Sequence, residues 1–260
     1  MHRHTFLLTG ILLAAALCAG CSVKEDRTPC PCWLDIDVSL CERQGETVSL
    51  KGWNTRMPVF GERLHVADWP DCWETPVPKG IIHYTAYTGF DRCVLSGQDM
   101  IIPEGEQCDE LWAYHASVIC DGEEARDRVV PHKQYATVTM KLNQDPSGNL
   151  EALVTSRSAG MSLEDLSPSE GIFRFITPQN PEGLFVFRLP RQADNSLKLE
   201  LLRDGRHYET FALGELIERT GYDWAAQDLD DIYIGVDFYL SSITISLDGW
   251  EEGTKYEFEL

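Results

Sequence analysis

Leu34-Asp35-Ile36-Asp37-Val38-Ser39-Leu40 alternates apolar and polar side chains without a break. Successive side chains of an extended chain point to opposite faces. The stretch therefore sets Leu34, Ile36, Val38 and Leu40 on one side and the polar residues on the other. This is a strand with one buried face and one wet face. Outward from it, residues 80–89 (GIIHYTAYTG) are β-branched and aromatic between two glycines. Residues 111–119, 135–142 and 150–155 continue the series. Asp145-Pro146-Ser147-Gly148-Asn149 is a strong turn signal, so residues 135–155 read as a hairpin.

Residues 156–171 (SRSAGMSLEDLSPSEG) interrupt the pattern with small, polar and turn-forming side chains. A domain boundary is expected there, between residues 157 and 158. Strand patterns resume at residues 171–176, 184–189, 197–203, 232–240, 243–247 and 256–260. Only residues 213–220 (LGELIERT) have helical spacing, with Leu213, Leu216 and Ile217 on one face and Gly221 beyond the end. Many short strands with one short helix predict a mainly β fold of antiparallel sandwiches.

The chain has 260 residues, 43% of them hydrophobic, enough for one large domain or two small ones. Lys and Arg total 22 against 42 Asp and Glu, a formal charge of −20. Such a surface repels phosphate backbones and argues against a nucleic-acid partner. Nine cysteines fit an oxidising compartment better than a reducing cytoplasm.

The N-terminus explains part of that count. His2, Arg3 and His4 form a basic start, and residues 6–18 are almost unbroken apolar sequence. At roughly 13 residues this run is shorter than the ~20 needed to span a bilayer, and it reads as an export signal. It ends in Leu17-Cys18-Ala19-Gly20-Cys21, which resembles the bacterial lipobox, with Cys18 standing where the usual leucine would be. That resemblance implies cleavage before Cys21 and lipidation of its thiol; several acyl chains together anchor a protein stably. Ser22 at the next position implies the outer membrane, and Lys24-Glu25-Asp26 resembles the charged tether of surface-exposed lipoproteins.

Seven cysteines remain as candidate disulfide partners: Cys30, Cys32, Cys41, Cys72, Cys93, Cys108 and Cys120. Seven is odd, so at least one is not paired within the chain, and spacing does not reveal the connectivity. All seven precede residue 121, which places any disulfide framework in the N-terminal domain. Cys30-Pro31-Cys32 differs from a thiol-oxidoreductase motif, being C-x-C before a strand rather than C-x-x-C at a helix start. Ligand-pair spacing does not support zinc either.

No catalytic motif is present: no G-x-S-x-G, P-loop, H-E-x-x-H or dinucleotide fingerprint. Asp228-Leu229-Asp230-Asp231 lacks the spacing of a calcium loop and reads as a solvated turn before a strand. No catalytic residue, metal or cofactor is expected. The seven tryptophans (Trp33, Trp53, Trp69, Trp73, Trp112, Trp224 and Trp250) leave open a sugar-binding platform, though core packing accounts for most of them.

Three stretches carry a wider resemblance. Phe211-Ala212-Leu213-Gly214-Glu215-Leu216-Ile217 leads through Gly221-Tyr222-Asp223-Trp224 and residues 228–238 to Ile243-Thr244-Ile245-Ser246-Leu247-Asp248-Gly249-Trp250. This succession resembles the FimB-type fimbrium anchoring subunits, lipoproteins of type V pili. Residues 26–33, with Cys30-Pro31-Cys32, resemble that family's segment after the lipidated cysteine. Ser158-Ala159-Gly160-Met161-Ser162-Leu163 resembles its inter-domain Gly-Met loop.

The resemblance implies two tandem transthyretin-like sandwiches joined to the outer membrane through Cys21. The expected organisation is a signal over residues 1–20, a lipidated tether over 21–32, and domains over 33–157 and 158–260. It also implies a non-catalytic role at the base of a fimbrium, governing its length and retention, with pilin subunits as partners by strand exchange. A surface glycan-binding lipoprotein of a polysaccharide uptake system is the rival expectation.

Overall fold

The alternation expected over residues 34–40 forms β1 (Cys32–Asp37) only as far as Asp37, and Ser39–Arg43 turn into a 3-10 helix. The inward side chains Cys32, Leu34 and Ile36 are fully buried, as is Val38 just beyond the strand. The computed structural model describes residues 30–55, 57–143, 148–247 and 254–259. β1 lies between β4 (Trp73–Val77), antiparallel, and β9 (Glu124–Arg128), parallel. A five-stranded antiparallel sheet packs against this trio. Its order is β10 (His132–Lys133), β8 (Trp112–Cys120), β5 (Gly80–Thr88), β2 (Thr47–Asn54) and β3 (Met57–His65). Leu34, Ile36, Leu50, Ile82 and Tyr84 fill the space between the two sheets.

The second sandwich is larger. In one sheet β11 (Tyr135–Asn143) lies between antiparallel β14 (Leu184–Pro190) and parallel β17 (Ile232–Asp237). β18 (Ser242–Leu247) and β19 (Lys255–Glu259) continue it. The facing sheet is built on the 13-residue strand β12 (Leu150–Ser162). β13 (Pro168–Pro178) runs along one side of β12. On the other side β15 (Lys198–Arg203) pairs with its first half and β7 (Asp99–Ile101) with its last three residues. β16 (Arg206–Phe211) and β6 (Val94–Ser96) are the outer strands beyond these. Phe173, Phe185 and Phe187 are fully buried between the sheets, where burial of each aromatic ring is worth about 2–3 kcal/mol. The expected helix is α1 (Leu213–Arg219), which buries Leu213, Gly214 and Ile217.

The fold class is as expected: mainly β, two sandwiches of largely antiparallel sheets, one short helix in the second. Three expectations about connectivity are corrected. Residues 135–155 are not a hairpin, because β11 and β12 belong to opposite sheets of the second sandwich. A turn signal specifies reversal of the chain but not hydrogen bonding between its arms. Here both arms have a buried face (Val138, Met140 and Leu142; Leu150, Ala152 and Val154), so they face each other across the core. The turn residues 144–147 lie outside the described residues.

The boundary between residues 157 and 158 falls inside β12. The chain instead crosses between sandwiches at Gln134, between β10 and β11. Polar residues at 156–162 resembled a linker, but Ser156 and Ser158 are buried at two bulges of a continuous strand. The Gly-Met segment is therefore strand, not loop, up to Ser162.

The domains are also not strictly consecutive. The β6–β7 hairpin leaves the first sandwich between β5 and β8 and pairs with the end of β12. Gly160 permits this approach, because a Cβ there would collide with the Met100 carbonyl oxygen. Tyr87, Met100, Leu111, Ala113, Met161 and Leu163 form a small third core where the two sandwiches join.

Candidate functional site

The chain's crossing point organises the junction. Lys133 pairs with Trp112 at the start of β8, and the Gln134 N–H donates to the Leu111 carbonyl at 2.9 Å. The loop before β17 then closes over the crossing. Asp228 accepts the Lys133 backbone N–H at 2.6 Å and lies 2.9 Å from His132 Nδ1. Asp231 accepts the Lys133 ammonium at 2.6 Å and the Thr137 N–H at 2.8 Å. Hydrogen bonds from Lys133 and His132 outweigh burial and hold the Asp228 carboxyl below the usual carboxylate range. The acidic run 228–231 is thus a clasp on the crossover. Among the described residues, no group of His, Cys, Asp or Glu is arranged to hold a metal.

Arg191, one residue past β14, lies beneath this loop with 7% of its surface exposed. Its Nε donates to Gln134 Oε1 at 2.7 Å, Nη1 to the Trp224 carbonyl at 2.7 Å and Nη2 to the Gln227 carbonyl at 2.9 Å. Burial lowers its pKa, opposed by Tyr222, Asp223 and Asp228. One guanidinium therefore ties the crossover, the second sandwich and the 222–231 loop together. Sequence reasoning missed Arg191. The available signal was a lone arginine directly continuing an apolar strand into Gln192 and Ala193.

A second strut joins the sandwiches above the third core. Thr85 is fully buried, donates its hydroxyl to the Leu163 carbonyl, and lies 3.0 Å from His115 Nδ1. Trp53 stacks on His115 and His83, with centroids 5.8 and 6.3 Å apart. Burial, reinforced by His83, lowers the His115 pKa against the opposing pull of Asp165 and Glu164.

Between these struts lies an open cleft of about 950 Å³. Tyr114 and His115 border it from the first sandwich, with Asp165, Arg191, Asp194 and Trp224 from the second. Its walls mix aromatic rings with hydrogen-bonding groups, a composition suited to a polar, ring-bearing ligand or a peptide edge.

The tryptophans do not form one platform among the described residues. Trp53 and Trp73 are buried, and Trp69, Trp112 and Trp224 are half-buried. Trp33 is exposed on β1, and Trp224 packs edge-on against Tyr222 at 4.6 Å. Trp250 and the expected lipidation site Cys21 lie outside the described residues.

The seven remaining cysteines are scattered more widely than expected, and all carry free thiols in this structure. Cys30 is exposed, and Cys32, Cys41 and Cys120 are buried in the first core. Cys72 lies at the surface with its sulfur 3.1 Å from the Arg126 guanidinium. Cys93 and Cys108 pack against the second core, so the cysteines do not all belong to the N-terminal sandwich. A strand, not a helix, follows Cys30-Pro31-Cys32, so those thiols do not face the helix N-terminus that a thiol-oxidoreductase motif uses.

No protein-family model matches the chain, and none of the curated proteins matches it in sequence. Solved structures do. The fold is that of the fimbrial anchor Mfa2. That protein, from Porphyromonas gingivalis, aligns over 85% of this chain and 98% of its own, with TM-score 0.59 and 11% identity. A proposed polysaccharide-binding protein (DUF1812) from Bacteroides thetaiotaomicron aligns over 88% and 98%, with TM-score 0.61 and 11% identity. A proposed adhesin from Bacteroides ovatus aligns over 87% and 95%, with TM-score 0.60 and 12% identity. At these identities the likeness establishes the fold. It extends over both sandwiches of this chain.

Proposed function

We propose that this protein is an outer-membrane lipoprotein, anchored through Cys21, that holds the base of a fimbrium at the cell surface and governs its length and retention. It is non-catalytic on this reading. The observation that carries the reading is the sharing of the whole two-sandwich architecture with the fimbrial anchor Mfa2, in a chain whose N-terminus has lipobox form. Among the described residues no helix is long and apolar enough to cross a membrane, and a lipid on Cys21 supplies the attachment instead. Pilin subunits are the partners, joined by strand exchange, in which a donated strand completes the receiving sheet.

Replacing Cys21 with Ala tests this directly. The protein and its fimbriae are expected in the culture medium, with fimbriae of altered length. Fimbriae that remain cell-bound and normal in length overturn the reading.

The glycan-binding alternative draws on the junction cleft, with the Tyr222–Trp224 pair at its edge, and on the likeness to the DUF1812 structure. It expects retardation of the protein on polysaccharide affinity gels, abolished by Trp224→Ala. Equal mobility of the two proteins on such gels removes it.

A further inference from the structure

The structure assigns two disulfide pairings, Cys32 with Cys120 and Cys93 with Cys108, leaving Cys30, Cys41 and Cys72 as the thiols of the mature chain.

The first pair spans the start of β1 and the end of β8. Cys32 is paired with Val77 on one side of β1, while on the other side the Trp33 N–H donates to the Glu123 carbonyl at 2.8 Å. Cys120 ends β8 three residues before Glu123, at the same end of the sandwich. Both side chains point into the same core with no exposed surface, and Cys120 feels Cys32 electrostatically as a close neighbour. Burial, reinforced by the neighbouring Cys32, pushes the Cys120 thiol up to about 12. Two buried thiols at the same end of one core are a reduced pair that an oxidant can join.

The second pair closes the neck of the β6–β7 excursion. Cys93 immediately precedes β6 and Cys108 follows β7. The Asp109 carboxylate accepts the N–H groups of Asp91, Arg92 and Cys93 at 3.1, 2.8 and 3.2 Å, which pins Cys93 beside Cys108. Both sulfur-bearing side chains line one small apolar gap with Met100, Ile102, Leu111 and Met161. Among the described residues the other three are placed differently: Cys41 lies in the 3-10 turn after β1 in the first core, Cys72 faces Arg126, and Cys30 is exposed.

Each bond forms by exchange with an oxidised dithiol carrier of the export pathway. One S–S bond forms in this chain as the carrier's own S–S bond breaks. Two electrons and two protons pass from the chain's thiols to the carrier, which leaves as a dithiol. Given the Cys21 anchor proposed above, Cys32 is the first strand residue after the tether. A bond from Cys32 to β8 then transfers tension on the lipid covalently to the five-stranded sheet, not only through the hydrogen bonds of β1.

The test uses the full-length exported protein, denatured without reductant and labelled with a maleimide. Labels on Cys30, Cys41 and Cys72 are expected, with peptide mapping recovering the 32–120 and 93–108 cross-links. Labelling of all seven cysteines, or cross-links joining other positions, overturns the assignment. The double variant Cys32→Ala/Cys120→Ala is expected to melt roughly 10 °C lower than the parent, because it frees a long closed loop in the unfolded chain. An unchanged melting temperature counts against that bond. Thiol counting does not depend on acylation, so it fails or succeeds separately from the anchoring experiment.

Discussion

Arg191 shows how much a single residue can decide. Its guanidinium donates to the Gln134 side-chain amide at the crossover and to two backbone carbonyls of the 222–231 loop, and among the described residues no carboxylate is hydrogen-bonded to it. Its role is to satisfy one buried and two part-buried acceptors that no strand reaches. Arg191→Met keeps the packing volume of the side chain but strands Gln134 Oε1 and the Trp224 and Gln227 carbonyls. The buried Gln134 acceptor left unpaired, with two part-buried carbonyls losing their donor, makes the substitution destabilising by about 2 kcal/mol. Urea unfolding of the variant checks this. A loss below about 1 kcal/mol would mean that the 222–231 loop holds its shape without the arginine.

At the scale of elements, β12 matters most. Its first half pairs with β15, its last three residues with β7, and β13 accompanies most of its length. The two bulges at Ser156–Gly160 turn the strand between these partners while keeping Ser158, Ala159 and Met161 inside. The join to β7 depends on Gly160, where any side chain meets the Met100 backbone. Gly160→Val is expected to destabilise the protein by about 3 kcal/mol and to expose the 90–110 segment to protease first. Limited proteolysis followed by mass analysis reads this; unchanged cleavage there would separate β7 docking from Gly160. The strand itself was legible only in part. Residues 150–155 alternate, whereas the bulged residues 156–162 break the period of two that identifies a strand, so the second half looked like a linker.

Across the whole molecule, the two sandwiches are held together by the third core and by the Thr85–His115–Leu163 strut. His115 makes that junction sensitive to pH. Burial and the nearby His83 lower its folded pKa below the ordinary 6.5, with Asp165 and Glu164 opposing. The unfolded chain therefore binds the proton more readily than the folded one. The stability contributed by neutral His115 is complete above about pH 6.5 and is lost as pH falls below it. The lowered carboxyl pKa values of Asp165 and Asp228 act below 3.8, outside this window. The melting temperature is expected to drop between pH 7.5 and 5.5, and His115→Gln to flatten that slope. Equal slopes in parent and variant would assign the pH dependence to other groups.

The formal charge of −20 argues against a nucleic-acid partner, and the period-two alternation by itself specified a mainly β fold. The spacing at residues 213–220 located the helix, and the lipobox-like N-terminus carries the expectation of an anchor at Cys21. These are local properties: they depend on neighbours within a few positions, and the chain displays them directly. Which strands pair, where the chain crosses between sandwiches, and which cysteines meet were decided only in three dimensions. Strand faces carry the same alternation whichever partner they bind, so periodicity is silent about β11 and β12 facing each other across a core. The contacts of Arg191 and the meeting of Cys32 with Cys120 join residues dozens of positions apart. Burial of the two hydrophobic cores, not any local pattern, brings those residues together.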